Sequence, residues 1–128
     1  MGQQQLLLIV LGVIVVGIAI IVGINLFNAN AVSANRDAVI SDLNNLAAMA
    51  QQFYKKPASM GGGANKFDNW IIPPQIDTTA NGIYTCASPS GQSITIVGTG
   101  TETGNDGSAK VKATATVTPT AVTVVVDN

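Results

Sequence analysis

The sequence predicts an α+β fold in which a long N-terminal helix packs against a small C-terminal antiparallel β-sheet. Two observations carry most of this prediction. No proline occurs between residues 1 and 56, and all 5 prolines come later in the chain. Residues 110–118 alternate strictly between apolar and polar side chains, which is typical of a strand with one buried face.

Composition places further bounds on the protein. A length of 128 residues suits one domain plus one appended element. The net charge of −1, with only 10% charged residues, argues against a nucleic-acid partner, which requires a basic surface. Apolar residues concentrate at the N-terminus, whereas residues 57–128 are rich in Thr, Ser, Gly and Asn. The N-terminal segment is therefore expected to contact lipid or protein, and residues 57–128 are expected to contact water.

The first element is an apolar segment of membrane length. Residues 6–24 contain only apolar side chains and glycine. As a helix this segment would be about 28 Å long, close to the ~30 Å hydrocarbon thickness of a bilayer. Its Val and Ile favour strands in water, but a lone strand in lipid leaves its backbone unpaired, so a helix is expected. Gly12, Gly17 and Gly23 are weak points, because glycine costs roughly 1 kcal/mol relative to alanine inside a helix.

Two ordinary interpretations of this segment compete. The triplets at 29–31 and 32–34 resemble the cleavage site of a secretory signal. However, no basic side chain precedes the apolar run, and the run is longer than a usual signal core. A single-span anchor would normally carry a basic cytoplasmic flank, whereas here only Gln3, Gln4 and Gln5 stand before it.

The second half of the helix is predicted to be amphipathic. Six apolar residues recur at steps of three, four or seven and form one stripe: Val32, Val39, Leu43, Leu46, Ala50 and Phe53. Lys55 and Lys56 suit the negative end of the helix dipole, and Pro57 ends the helix. The pattern predicts one helix of roughly fifty residues, about 80 Å long.

The remaining residues predict about four strands. Asn81-Gly82 indicates a hairpin, and the glycines at 104 and 107 indicate a turn. One strand face carries Val111, Ala113, Ala115 and Val117, and it needs a cover that the helix stripe can supply. The predicted organisation is a hydrophobic helix half at 1–28 and a globular domain at 29–128, comprising an amphipathic helix half (29–56), a loop (57–75) and the sheet (76–128).

No catalytic, cofactor or metal site is predicted. The chain has no His, and its single cysteine, Cys86, is expected to be a small buried residue rather than a reactive or intermolecular thiol. Glu102, Asn105 and Asp106 have oxygens suited to Ca²⁺, but their spacing matches no motif and a turn is favoured. The six aromatics are interpreted as scattered core residues rather than a stacking track: Phe27, Phe53, Tyr54, Phe67, Trp70 and Tyr84.

The uncharged start, the long helix and the following sheet resemble a type IV pilin. The resemblance covers residues 1–56 by pattern and the sheet only by architecture. It implies a basic leader ending in Gly, which prepilin peptidase removes before N-methylating the new first residue, here Met1. The family carries a Glu that pairs with a neighbour's terminal amine, and Gln5 stands in its place. Where the family often has a helix-loosening Pro, this chain has Val22, and Gly17 and Gly23 are expected to take over that role.

The resemblance implies a structural protein rather than an enzyme. The unassembled subunit would reside in the inner membrane. The pilus assembly machinery would then build it into a homopolymeric filament on the bacterial cell surface. The expected assembly residues are Met1, Gln5, Leu8, Val15, Gly17 and Gly23. A pseudopilin of type II secretion fits the same pattern, and a membrane-anchored periplasmic β domain with a binding role is the alternative from another class.

Overall fold

The α+β prediction is confirmed by the fold, which a computed structural model describes for residues 2–128, apart from the side chain of Ser88. A single helix, α1, spans Gly2–Lys55, and a short 3₁₀ turn follows at Ala58–Met60. The predicted stop at Pro57 is confirmed, since Lys56 is already outside the helix. The chain divides into two compact units, one ending at Ala31 and the other comprising Val32–Asn128.

The sheet is an antiparallel meander of five strands in chain order, one more than the approximate number predicted. The strands are β1 (Thr78–Thr79), β2 (Gly82–Ser90), β3 (Ser93–Thr103), β4 (Lys110–Val117) and β5 (Val122–Val126). The predicted alternation in β4 is confirmed, because Val111, Ala113, Ala115 and Val117 are all 0% exposed. Strand β1 and strand β5 form the two edges.

The core of the second unit lies between the amphipathic half of α1 and the apolar face of the sheet. Within the predicted helix stripe, Val39, Leu43, Leu46 and Ala50 are buried, and Phe53 packs partly against the same cluster. Val32, at the start of the stripe, is only half-buried. The expectation that this stripe covers the sheet is confirmed, since it forms one cluster with Ile94 and Ile96 of β3 and with Ala113, Ala115 and Val117 of β4.

Two glycines of β3 let the helix approach the sheet closely. A Cβ atom on Gly98 would lie 2.8 Å from Cγ1 of Val39 and 2.9 Å from the ring of Tyr84. A Cβ atom on Gly100 would lie within 2.1 Å of Oδ1 of Asn35. Glycine at both positions is therefore a condition of this helix-on-sheet packing.

The hairpin predicted at Asn81-Gly82 is confirmed, but its turn is shifted by one residue. Thr79 pairs with Gly82, so the turn consists of Ala80 and Asn81, and Gly82 belongs to β2. Gly82 is required by the close approach of the neighbouring strand and not by turn geometry. A Cβ atom there would lie 2.2 Å from the carbonyl oxygen of Thr99 on the neighbouring strand.

The aromatic residues are core residues with one exception. Phe67 and Trp70 anchor the connection between α1 and the sheet, with exposures of 0% and 5%, and Tyr84 is equally well buried. Tyr54 packs against Phe67 with ring centroids 4.8 Å apart. The prediction was wrong for Phe27, which is 77% exposed because it lies on the apolar helix half and not in the core.

Candidate assembly surface

The most unusual feature of the described chain is an uncovered apolar surface on the first half of α1. Every large apolar side chain of residues 6–27 is exposed, with values from 54% for Val10 to 77% for Phe27. We call these side chains the apolar helix surface. They face all sides of the helix, since they follow one another with few interruptions. The first charged residue, Arg36, comes only after this surface.

The same segment meets the requirements of a membrane span. By length and composition α1 could cross a bilayer, and its most apolar stretch is not buried. A signal sequence near an N-terminus satisfies the same criterion. The apolar helix surface is therefore compatible with membrane anchoring.

The predicted assembly residues that the structure describes belong to this half of α1, but they do not converge on one point. Gln5, Leu8 and Val15 are exposed, and their spacings of three and seven place them on one helix face. Gly23 follows Gln5 by five helical turns and lies on the same face, whereas Gly17 lies on the opposite side of the helix. Met1, the predicted methylation site, lies outside the described residues.

The glycines of the first unit do not interrupt α1. A Cβ atom on Gly12, Gly17 or Gly23 would meet no atom within 4 Å, so no packing contact requires glycine at these positions. The expected opening at Gly17 and Gly23 concerns the assembled filament and stays a prediction. In the single chain the helix is continuous through both positions.

The amide of Gln5 offers different chemistry from a carboxylate. It is neutral, and the first turn of α1 contains no acidic side chain. The amide oxygen can accept a hydrogen bond from an ammonium group, and the amide nitrogen donates two more. It supplies no counter-charge, so a buried ammonium beside it needs further acceptors.

Sequence reasoning missed a polar cluster that fastens α1 to the β1–β2 hairpin. Oδ2 of Asp42 accepts hydrogen bonds from the Tyr84 hydroxyl at 2.6 Å, from Nδ2 of Asn81 at 3.1 Å and from Oγ1 of Thr79 at 3.2 Å. Burial, and then the hydrogen bond to Asp42, raise the pKa of the Tyr84 phenol. A small cavity of about 100 Å³ lies beside Asp42 and Thr79. Because three protein groups already donate to Oδ2 of Asp42, we interpret the cluster as structural.

A second polar contact was also missed, at Asn35. Its Oδ1 accepts from the backbone N–H of Thr101 at 3.1 Å and of Glu102 at 3.3 Å. Its Nδ2 donates to the carbonyl of Asn81 at 2.8 Å. Thr101 and Glu102 lie where the β3–β4 register shifts, and Asn35 supplies an acceptor for their N–H groups there. A polar residue in a helix gives no sequence signal for contacts that lie 66 residues away.

The remaining candidate groups offer little reactivity. Cys86 is half-buried and packs against the core, so the expectation of a small buried residue was too strong. Burial raises the pKa of its thiol, which lowers the fraction of reactive thiolate. Asp106 forms the predicted turn, because its Oδ1 accepts from the backbone N–H of Ser108 and of Ala109. Within the described residues, no group of His, Cys, Asp or Glu is arranged to hold a metal ion.

Comparison with protein-family models, with curated proteins and with solved structures finds no significant match for this chain.

Proposed function

We propose that this chain is the structural subunit of an extracellular helical filament of the type IV pilus kind, and that it polymerises through the apolar helix surface. The observation that carries the proposal is the exposure of every large apolar side chain of residues 6–27. Fully burying one such side chain contributes about 1.5–3 kcal/mol. Leaving the whole surface in water costs on the order of tens of kcal/mol, more than the stability of a typical domain. Something must therefore cover it.

Lipid and protein are the two covers that fit a helix apolar on all sides. A simple dimer would need only one apolar stripe, as in a coiled coil. A surface apolar all round suits a bilayer before assembly and the centre of a many-helix bundle afterwards. Identical subunits that repeat a non-closing contact form a fibre, and the filament follows from this rule.

The second unit supports the proposal because it forms its own core and presents polar side chains to water. The amphipathic half of α1 already covers the sheet, so the domain needs no further copy for its core. The outer face of β4 presents Lys112, Thr114 and Thr116, which suit contact with water. In the proposal the first unit makes the filament core and the second unit makes its surface. Prepilin peptidase and the pilus assembly machinery are the proposed partners, and the inner membrane holds the unassembled subunit.

The test is to purify surface filaments from cells that produce the chain, to identify their subunit by mass spectrometry and to determine a side-chain resolution map. The expected map places residues 6–27 of many copies at the filament centre. Filaments made of another protein, with this chain found only as single copies in membranes, would overturn the proposal.

A membrane-anchored periplasmic domain is the second candidate, because the same helix is compatible with a single span. It predicts a detergent-soluble monomer and no filament. A pseudopilin would assemble through the same helix, but its filaments would be short and scarce at the cell surface.

A further inference from the structure

Strand β5 is a sheet edge that lacks the usual protection against pairing. It pairs only with β4, in a register with no irregularity over Val122–Val126. The strand contains no proline and no charged residue. Val125 is 55% exposed and Val126 is 41% exposed. Edge strands are normally protected by charge, proline, a bulge or a covering segment, because their free backbone groups otherwise recruit another strand.

The backbone groups on the open side can be assigned from the ladder. The N–H of Asp127 donates to the carbonyl of Lys112 on the β4 side at 2.8 Å. Since ladder bonds alternate along an antiparallel strand, Thr123 and Val125 also bond toward β4. Val122, Val124 and Val126 therefore direct their N–H and C=O groups to the open edge.

The apolar face of the sheet continues onto this edge. The register pairs Val117 with Val122, Ala115 with Val124 and Ala113 with Val126. The β4 members of these pairs are 0% exposed, whereas Val122 is 37% and Val126 is 41% exposed. The core face thus ends in valines that are incompletely covered, directly beside the free backbone groups.

We propose that β5 pairs antiparallel with β5 of a second copy of this chain, in the register centred on Val124. A second copy is the occupant that fits best, because the other sheet edge, β1, is only 2 residues long and would give a much shorter ladder. In this register Val124 faces Val124, Thr123 faces Val125, and Val122 faces Val126. The nearest charge, Asp127, lies opposite Ala121 and not opposite its own copy, so no like charges meet.

This pairing has two-fold symmetry and joins two five-stranded sheets edge to edge. A two-fold contact closes at a dimer, and the subunits of one polar filament all point the same way. Subunits related by the β5 contact therefore belong to two filaments that run antiparallel, side by side. This last consequence depends on the proposed function, whereas the pairing itself does not.

The test uses the full chain in detergent, with Cys86→Ser to remove the native thiol. Directly opposite residues of a hydrogen-bonded pair have Cα atoms about 5.5 Å apart, within the range of a disulfide. Val124→Cys is expected to give a disulfide-linked dimer under mild oxidation about ten times faster than the control Thr123→Cys, which faces Val125 instead. Equal rates, or no dimer from Val124→Cys, would overturn the proposal.

A charge placed on the edge gives an independent measurement. Adding Val125→Lys to the Val124→Cys chain is expected to lower its dimer yield about ten-fold, because lysine is a natural edge protector. Thr116→Lys is the matched control: it adds the same charge to the same outer face, but on the inner strand β4, and the yield should not change. Equal yields from the two lysine variants would contradict the pairing.

The filaments distinguish the two proposals. If Val125→Lys abolishes the side-by-side association of filaments but the filaments themselves still form, both proposals stand. If no variant forms filaments while the Val124 cross-link persists, only the proposed function fails.

Discussion

The hydroxyl of Tyr84 on β2 donates a 2.6 Å hydrogen bond to Oδ2 of Asp42 on α1, across 42 residues of sequence. Tyr84 is only 2% exposed, so water does not compete for this bond. The same oxygen also accepts from Asn81 and Thr79 in the neighbouring hairpin. One carboxylate thus joins the amphipathic half of the helix to the first two strands.

Tyr84→Phe is expected to lower the free energy of unfolding by about 1.5–3 kcal/mol, because it removes a buried hydrogen bond to a charged acceptor. Denaturant unfolding in detergent measures the change. Tyr54→Phe is the matched control, since it removes a bond of 2.7 Å to Gln92 that lies at the surface. That control is expected to cost under about 0.5 kcal/mol. Similar losses in the two variants would show that burial does not strengthen the Tyr84–Asp42 bond.

The raised pKa of the Tyr84 phenol predicts a loss of stability in alkali. Burial and the Asp42 carboxylate favour the protonated phenol in the folded chain. Because the folded pKa exceeds the unfolded one, the contribution is complete below about pH 10 and falls as pH rises toward the folded pKa. The expected loss is about 1.4 kcal/mol per pH unit above about pH 10. The slope of unfolding free energy against pH should be smaller by this amount in Tyr84→Phe, and equal slopes would contradict the assignment.

Asn35→Leu is expected to lower the free energy of unfolding by about 1–3 kcal/mol. The change leaves the backbone N–H groups of Thr101 and Glu102 without their acceptor. Asn44→Leu is the control, because Asn44 lies on the exposed side of the same helix. Hydrogen exchange gives a local readout: the amides of Thr101 and Glu102 should lose protection in Asn35→Leu alone. Unchanged protection of those amides would show that Asn35 is not their acceptor.

Sequence patterns predicted the helix and strands of this fold better than the polar contacts that join them. The alternation of Val111, Ala113, Ala115 and Val117 fixes a strand and its buried face, because side chains in a strand point to opposite sides in turn. Pro57 fixes the helix end by local sterics alone. The Asn35 and Asp42 contacts could not be predicted, since each depends on residues about forty or more positions away. For the candidate surface, composition located residues 6–24. The fold extends the exposed apolar side chains to Phe27 and shows that the second unit builds its core without them.

Leu8→Lys and Val15→Lys are each expected to abolish filament formation. At Val15, in the middle of the apolar segment, a lysine costs about 2.5–3.5 kcal/mol on insertion scales. At either position it finds no partner among packed apolar helices. Electron microscopy of cell surfaces and the amount of chain in sheared filaments measure the effect. Ser41→Lys is the matched control, because Ser41 is exposed on the same helix but belongs to the second unit. Normal filaments from Leu8→Lys or Val15→Lys would show that this helix does not form the filament core.

Gly17→Ala combined with Gly23→Ala is expected to impair filament assembly while leaving membrane insertion unchanged. Neither new Cβ atom meets anything within 4 Å in the single chain, so no clash opposes the change. Alanine stabilises a helix interior by roughly 1 kcal/mol per site relative to glycine. In lipid every backbone group must be paired, so the helix stays closed in either variant. If α1 must open between these glycines when neighbours replace lipid, that extra stability opposes assembly.

Gly12→Ala, also free of contacts, is the control and should assemble normally. A filament map decides the cause: extended residues between positions 16 and 25 support the prediction, and an unbroken helix there rejects it.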